Sequence, residues 1–261
     1  MHKERYQISD LLRIMDKLRA PGGCPWDREQ SHKSIRRNLI EETYEAAEAI
    51  DNDDADLLRE ELGDILLQVV FHAQIGREHG SFDFDDVCDG ICKKLITRHP
   101  HIFADTIAKT SDEVLANWEA IKRMEKSQES AVSTLKAVSK ALPALMRSEK
   151  VQNRAAKTGF DYHNTAEAFQ DLKNELAELE QAIASGSAGE IHEELGDLLF
   201  AAVNVSRFTG IDAEKSLADS CEKFISRFGK VEEMAQARSI DMKDANMDLL
   251  NRLWGEAKIN D

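Results

Sequence analysis

The chain has 261 residues, with 34 Lys and Arg against 49 Asp and Glu and a formal net charge of −15 at pH 7. Charged residues make up 32%, aromatics 6%, and there are only 13 Gly and 4 Pro, a balance that favours helices over a sandwich or barrel. So negative a chain repels nucleic-acid backbones and anionic lipid, so neither nucleic acid nor membrane is expected as a partner.

The opening stretch, MHKERYQISDLLRIMDKLR, is too charged to serve as the apolar part of a signal peptide. The longest apolar runs, Ile65–Phe71 and Leu198–Val205, are far too short to cross a bilayer. Cys24, Cys88, Cys92 and Cys221 form no CxxC pair and are expected to be reduced thiols, which together with the missing leader points to the cytoplasm.

Along the chain the periodicity is helical. A first helix carries Leu39, Thr43, Ala46, Ala47 and Ile50 on one side, and the breaker run Asp51–Asp56 ends it. The next helix places Leu62, Ile65, Leu66, Val69, Val70 and Ala73 at i, i+3, i+4, i+7, i+8 and i+11. KLITRHP (Lys94–Pro100) and Trp118-x-x-x-Lys122 follow, then the polar stretch 125–140, read as a linker. Beyond it the same order returns: a helix around Glu175, a breaker at Ser185–Gly189, a helix with Leu195, Leu198, Leu199, Ala202 and Val203, then KFISRF from Lys223 and Trp254-x-x-x-Lys258. No alternation of β-branched residues is long enough to build a sheet. The expected fold class is all-α.

The second half is a copy of the first. EELGDIL at 60–66 returns as EELGDLL at 193–199, and Glu42, Glu45, Glu61 and Asp64 each lie 133 residues before Glu175, Glu178, Glu194 and Asp197. Four carboxylates in one register indicate duplication. The expected organisation is a unit at 1–124, a linker at 125–140 and a second unit at 141–261.

Glu42 and Glu45, three residues apart, project from one side of a helix, and Glu61 and Asp64 do the same on the next. Antiparallel packing across a short loop would bring the pairs face to face. Four converging carboxylates make a site of hard oxygen ligands suited to Mg²⁺ or Mn²⁺ rather than zinc. None of the eight acidic positions has a Lys or Arg three or four residues away, so helical ion pairing does not account for them. Lys94/Arg98 and Lys223/Arg227, each four apart on a helix face, read as clamps for phosphate oxygens. Trp118 and Trp254 would stack on a base or plug the core, and spacing favours the core.

Other chemistry fails on inspection. Phe228-Gly229-Lys230-Val231 lacks the remaining parts of a phosphate loop. A di-iron carboxylate bundle needs two Glu-x-x-His motifs, and only Glu29–His32 is present.

EExxE (Glu41–Glu45) and ExxD (Glu61–Asp64), with GCPWD, KLxxRHPHxF and WExIK, resemble the MazG nucleoside triphosphate pyrophosphohydrolases over nearly the whole chain. That family lies among the all-α NTP pyrophosphatases. The resemblance implies two tandem helical units forming four-helix-bundle-like domains completed by dimerisation, hence a homodimer. It also implies Mg²⁺-dependent hydrolysis of NTPs and dNTPs to the monophosphate and pyrophosphate. It makes Glu42, Glu45, Glu61, Asp64, Glu175, Glu178, Glu194 and Asp197 metal ligands, the last four also catalytic. Lys223, Arg227, Trp254 and Lys258 would contact the nucleotide, with Lys94, Arg98, Trp118 and Lys122 as their first-unit counterparts.

The units differ at two places. Asn174 stands where the first unit has Glu41, and Asn204 where it has Phe71, close to the carboxylate seam. An amide there suits substrate contact, and relatives of this tandem type usually carry activity in the C-terminal unit, so the second unit is expected to be the main catalyst. A narrower pyrophosphatase of the dUTP or phosphoribosyl-ATP type and a non-catalytic nucleotide sensor are the alternatives.

Overall fold

The computed structural model describes residues 4–104, 106–125 and 130–259 and divides the chain into two compact units, Met1–Met124 and Glu125–Asp261. Every regular element among the described residues is a helix. Residues 126–129 of the stretch read as a linker lie outside the described residues.

The first unit contains α1 (Ile8–Arg19), α2 (Pro25–Glu29), α3 (Arg36–Asp51), α4 (Ala55–Glu78), α5 (Phe84–Arg98), α6 (Pro100–Phe103) and α7 (Ser111–Glu125). α3 and α4 form an antiparallel hairpin, α1 packs on α4, and Met15, Ile35, Val70, Phe71 and Ile75 make the core. Asp54 starts α4 by accepting hydrogen bonds from the Asp56 and Leu57 amides, and an Asp83–Asp86 capping box starts α5.

The second unit contains α8 (Ala131–Lys136), α9 (Ala144–Ala156), α10 (Thr165–Ser185), α11 (Ala188–Thr209), α12 (Ala213–Ala237) and α13 (Met247–Ile259). α10 and α11 form its hairpin, with α9 packed on α11 as α1 packs on α4. A second apolar cluster of Val231, Ala235, Leu253 and Ala257 joins α12 to α13. The repeat extends to the caps: Ser187 starts α11 from the position matching Asp54, and the turns before them place Asp53 (φ 53°) and Gly186 (φ 73°) in the left-handed region.

Two readings of the sequence change. Part of the linker stretch is helical: α8 is capped by Ser130, packs on α9, and is followed by the buried Val138. The apolar side of the hairpin helices is also not one buried face. Ile50, Leu62, Leu66, Leu195 and Leu199 are exposed, whereas Ala49, Val70, Ala201 and Val203 are buried. The spacing marks two adjacent apolar stripes on each hairpin, and one chain covers only the stripe that meets its own neighbours.

Candidate functional site

Each hairpin gathers its acids at one place. Carboxylate oxygens of Glu42, Glu45 and Glu61 lie within 4.8 Å of one another, as do those of Glu175, Glu194 and Asp197. Asp64 and Glu178 fall outside these two sets but act on them electrostatically, Asp64 on Glu42 and Glu61, Glu178 on Glu175 and Glu194. Helix spacing explains the convergence: residues three apart share a face, and a tight turn folds the second face onto the first.

The sites are electrostatically costly when empty of cations. Burial, followed by repulsion from the neighbouring acids, holds Glu42, Glu61, Glu175 and Glu194 above the ordinary glutamate value of 4.5. Glu45 is among the groups that push both Glu42 and Glu61 up. Glu61 is buried at 8% exposure, although leucines one and five residues on face solvent. Oxygen-only donors, tightly grouped and reluctant to ionise together, fit a hard divalent cation.

The difference between Glu41 and Asn174 leaves these sets intact. Glu41 pairs with Arg37 at 2.7 Å on the surface, and the matching residues of the second unit, Gln170 and Asn174, hydrogen-bond at 3.1 Å. One surface pair has replaced another.

The basic and aromatic candidates lie on the helices that follow each hairpin, α5 and α7 in the first unit and α12 and α13 in the second. In the first, Lys94 is exposed on α5, Arg98 is buried with its guanidinium carbon 5.3 Å from the Trp118 ring centre, and His99 meets that ring edge-on at 4.9 Å. Lys122 is half-buried one turn beyond Trp118 on α7. In the second, Lys223 is exposed and Arg227 half-buried on α12. Trp254 packs on the α12–α13 cluster and lies 5.1 Å from Phe224, while Lys258 is exposed at the end of α13. The groups that act most on Glu175 and Glu194 are all acidic.

Asn204 is buried, and its Oδ1 accepts from Arg207 Nε at 3.0 Å and Nη2 at 2.7 Å. Arg207 Nη1 also donates to Asp161 at 3.0 Å, and the arginine holds the Asp161 carboxyl below its usual range. These residues line a cavity of about 490 Å³ together with Gln152, Tyr162, Asp171 and Phe200. Asp171 lies one turn before Glu175 on α10. Burial, reinforced by a hydrogen bond to Asp171 and by the charges of Asp171, Glu175 and Asp161, pushes the Tyr162 hydroxyl up to about 12. The cavity therefore adjoins the second carboxylate set. Of its polar residues only Asn204 is marked by the sequence pattern. Asp171, four before Glu175, and Arg207, three after Asn204, carry the spacing that could have revealed them.

The first unit fills the matching position. Phe71 and Arg19 lie 133 residues before Asn204 and Gln152, both are buried, and the guanidinium carbon stands 5.3 Å from the Phe71 ring centre.

Comparison with known proteins finds the same duplication. The MazG nucleotide pyrophosphohydrolase domain matches twice, at residues 30–103 and 164–231. The nucleoside triphosphate pyrophosphohydrolase of Escherichia coli (strain K12) is 44% identical over 257 residues, 97% of each chain. The nucleoside triphosphate pyrophosphohydrolase/pyrophosphatase MazG of Thermotoga maritima is 41% identical over 254 residues, covering 97% of this chain and 96% of its own. A crystal structure of a mazG-related protein from Thermotoga maritima covers 44% of this chain and 99% of its own, at 25% identity and a TM-score of 0.39. With both units matched and relatives aligned from end to end, the chain belongs to the MazG nucleotide pyrophosphohydrolase family.

Proposed function

We propose that this protein hydrolyses nucleoside triphosphates, ribo or deoxy, to the monophosphate and pyrophosphate, using Mg²⁺ (Mn²⁺ as a substitute), chiefly in its second unit. The observation that carries the reading is the pair of three-carboxylate sets, each within 4.8 Å, in a chain whose full-length relatives bear that activity in their names. The open cavity beside Glu175, against the filled position at Phe71, supports the emphasis on the second unit.

Glu175, Glu178, Glu194 and Asp197 would hold the cation, which supplies positive charge to the triphosphate and makes water a stronger acid. The same carboxylates orient the attacking water and take its proton. Lys223 and Arg227 neutralise charge on the departing pyrophosphate, and Trp254 and Lys258 complete the basic end. Glu42, Glu45, Glu61 and Asp64, with Lys94, Arg98, Trp118 and Lys122, form a second cation site of lesser or regulatory activity. The exposed Leu62, Leu66, Leu195 and Leu199 stripes support a homodimer. No helix of the described residues is long and apolar enough to cross a membrane.

The test is pyrophosphate release from a panel of NTPs and dNTPs with Mg²⁺, on the wild type, Glu61→Gln and Glu194→Gln. Glu194→Gln is expected to lose turnover and Glu61→Gln to keep most of it. The reverse pattern would move catalysis to the first unit, and a wild type that releases no pyrophosphate would leave a nucleotide-binding protein.

A further inference from the structure

The cavity of the second unit holds two polar side chains whose hydrogen-bonding capacity is only half used. Gln152, 6% exposed, donates Nε2 to the Phe200 carbonyl at 2.7 Å, and its Oε1 has no partner among the described residues. A carbonyl can only accept, so the amide cannot be turned the other way without losing that bond. Asn204, 9% exposed, offers Oδ1 to two guanidinium nitrogens of Arg207, and no acceptor among the described residues takes its Nδ2 hydrogens. Guanidinium can only donate, so this amide is fixed as well. Phe200 is four residues before Asn204, so the Gln152 amide sits one helical turn from it. A buried acceptor left without a partner is unfavourable, and each such group in a folded protein calls for a partner or a role that explains it.

The surroundings state what that ligand is. A volume of about 490 Å³ falls within the roughly 300–1,000 Å³ of small-molecule sites, largely apolar with a few fixed polar groups. The aromatic residues Phe200 and Tyr162 belong to its wall. One acceptor and one donor, both fixed, match the edge of a nucleobase, which presents donor and acceptor side by side. Asn204 stands seven residues, about 10 Å along α11, from Asp197, close to the reach of a nucleoside from base edge to 5′ oxygen. The Asp171 side of the cavity, whose carboxylate acts on Glu175, adjoins the acids that would hold the cation, and the phosphate end would reach toward that cation.

We propose that Gln152 and Asn204 form the base-reading corner of this cavity, with Arg207 and Asp161 as positioning residues that lock the Asn204 amide. The proposal rests on the pyrophosphohydrolase reading and adds to it where the nucleoside sits and what selects it. The first unit has no such corner, because Arg19 and Phe71 occupy the same register.

Two readouts on the full chain test it: kcat/KM for four NTPs with Mg²⁺, and equilibrium dialysis of the four labelled nucleoside monophosphates, which needs no turnover. Asn204→Phe, the first-unit residue, is expected to weaken monophosphate binding at least about tenfold. Asn204→Asp keeps the size and the bonds to Arg207 but turns the free donor into an acceptor. It is expected to change the ratios between bases by about tenfold, which a uniform charge effect or a folding defect would not do. Asp161→Ala, which frees Arg207 from both carboxylate oxygens, is expected to raise KM several-fold and flatten the base ratios while lowering kcat much less, and Asp161→Asn, which keeps one of the two acceptors, to recover only part of the loss.

If the wild type hydrolyses NTPs and Asn204→Asp keeps its base ratios in both readouts, the pocket assignment is overturned while the enzymatic reading stands. If no nucleotide yields pyrophosphate but monophosphates bind in an Asn204-dependent way, the enzymatic reading fails and the pocket stands.

Discussion

Arg19 grips Glu78 with two arms of its guanidinium, Nε to Oε1 at 2.9 Å and Nη2 to Oε2 at 2.7 Å, while its own side chain is 4% exposed. The pair ties the end of α1 to the end of α4, and the arginine's hydrogen bonds hold Glu78 below 4.5. A depressed folded value means that the pair's contribution is present above the ordinary glutamate value and disappears as pH falls through the lower folded one. Glu78→Gln is expected to destabilise the first unit by about 2 kcal/mol at pH 7, with the gap to wild type closing under acid. Urea denaturation at pH 7 and pH 3.5 checks both.

The acidic sets carry the opposite sign. Folded values of Glu42, Glu61, Glu175 and Glu194 lie above 4.5, so their contribution is present at low pH and is lost as pH rises through those raised values. Metal-free protein is therefore expected to lose stability from this source as pH rises above 4.5. Mg²⁺ at one hundred times its dissociation constant should add about 2.7 kcal/mol per site. Glu61→Gln and Glu194→Gln should each melt higher than wild type in chelator and gain less from Mg²⁺. Melting curves that ignore both chelator and Mg²⁺ would remove the cation sites from the account.

The hairpin turns give a conformational test. Asp53 and Gly186 occupy matching positions at φ 53° and 73°. Gly186→Ala is expected to lose about 1 kcal/mol. A Cβ there meets nothing within 4 Å, so the loss is conformational rather than steric. Asp53→Gly should move the first unit the other way by a smaller amount. Calorimetry of the two variants separates these signs.

Leu62 and Leu66, 53% and 40% exposed, test the assembly. Replacing both with Asp is expected to leave the helical circular dichroism signal intact and to halve the mass found by sedimentation equilibrium. A wild type that sediments as one chain would end the homodimer proposal.

The fold could be read in the sequence because duplication prints the same residues twice: the 133-residue register of Glu42, Glu45, Glu61 and Asp64 identifies both hairpins and their facing acids. Which leucines are covered could not be read, since a stripe at i, i+3, i+4 is apolar whether it meets its own unit or another chain. The cavity was harder still. Gln152, Asp161, Asp171 and Arg207 come from α9, a loop, α10 and α11, share no motif, and become neighbours only once α9 packs on α11. Phe71 against Asn204 was visible as a contrast of residue types, but its meaning depends on Arg19, which no local pattern connects to Phe71.

α8 sets a boundary that the repeat does not. Leu135 on this short helix lines the cavity, and Arg154 of α9 holds it by donating to the Thr134 carbonyl. A second half cut at residue 141 would retain all four of its acids yet lack one side of the nucleoside chamber. Ancestry and working module thus have different edges. Transplanting this half into another protein, or exchanging it with a relative's, should begin upstream of Ser130, and a shorter graft would bind metal while holding its nucleotide loosely.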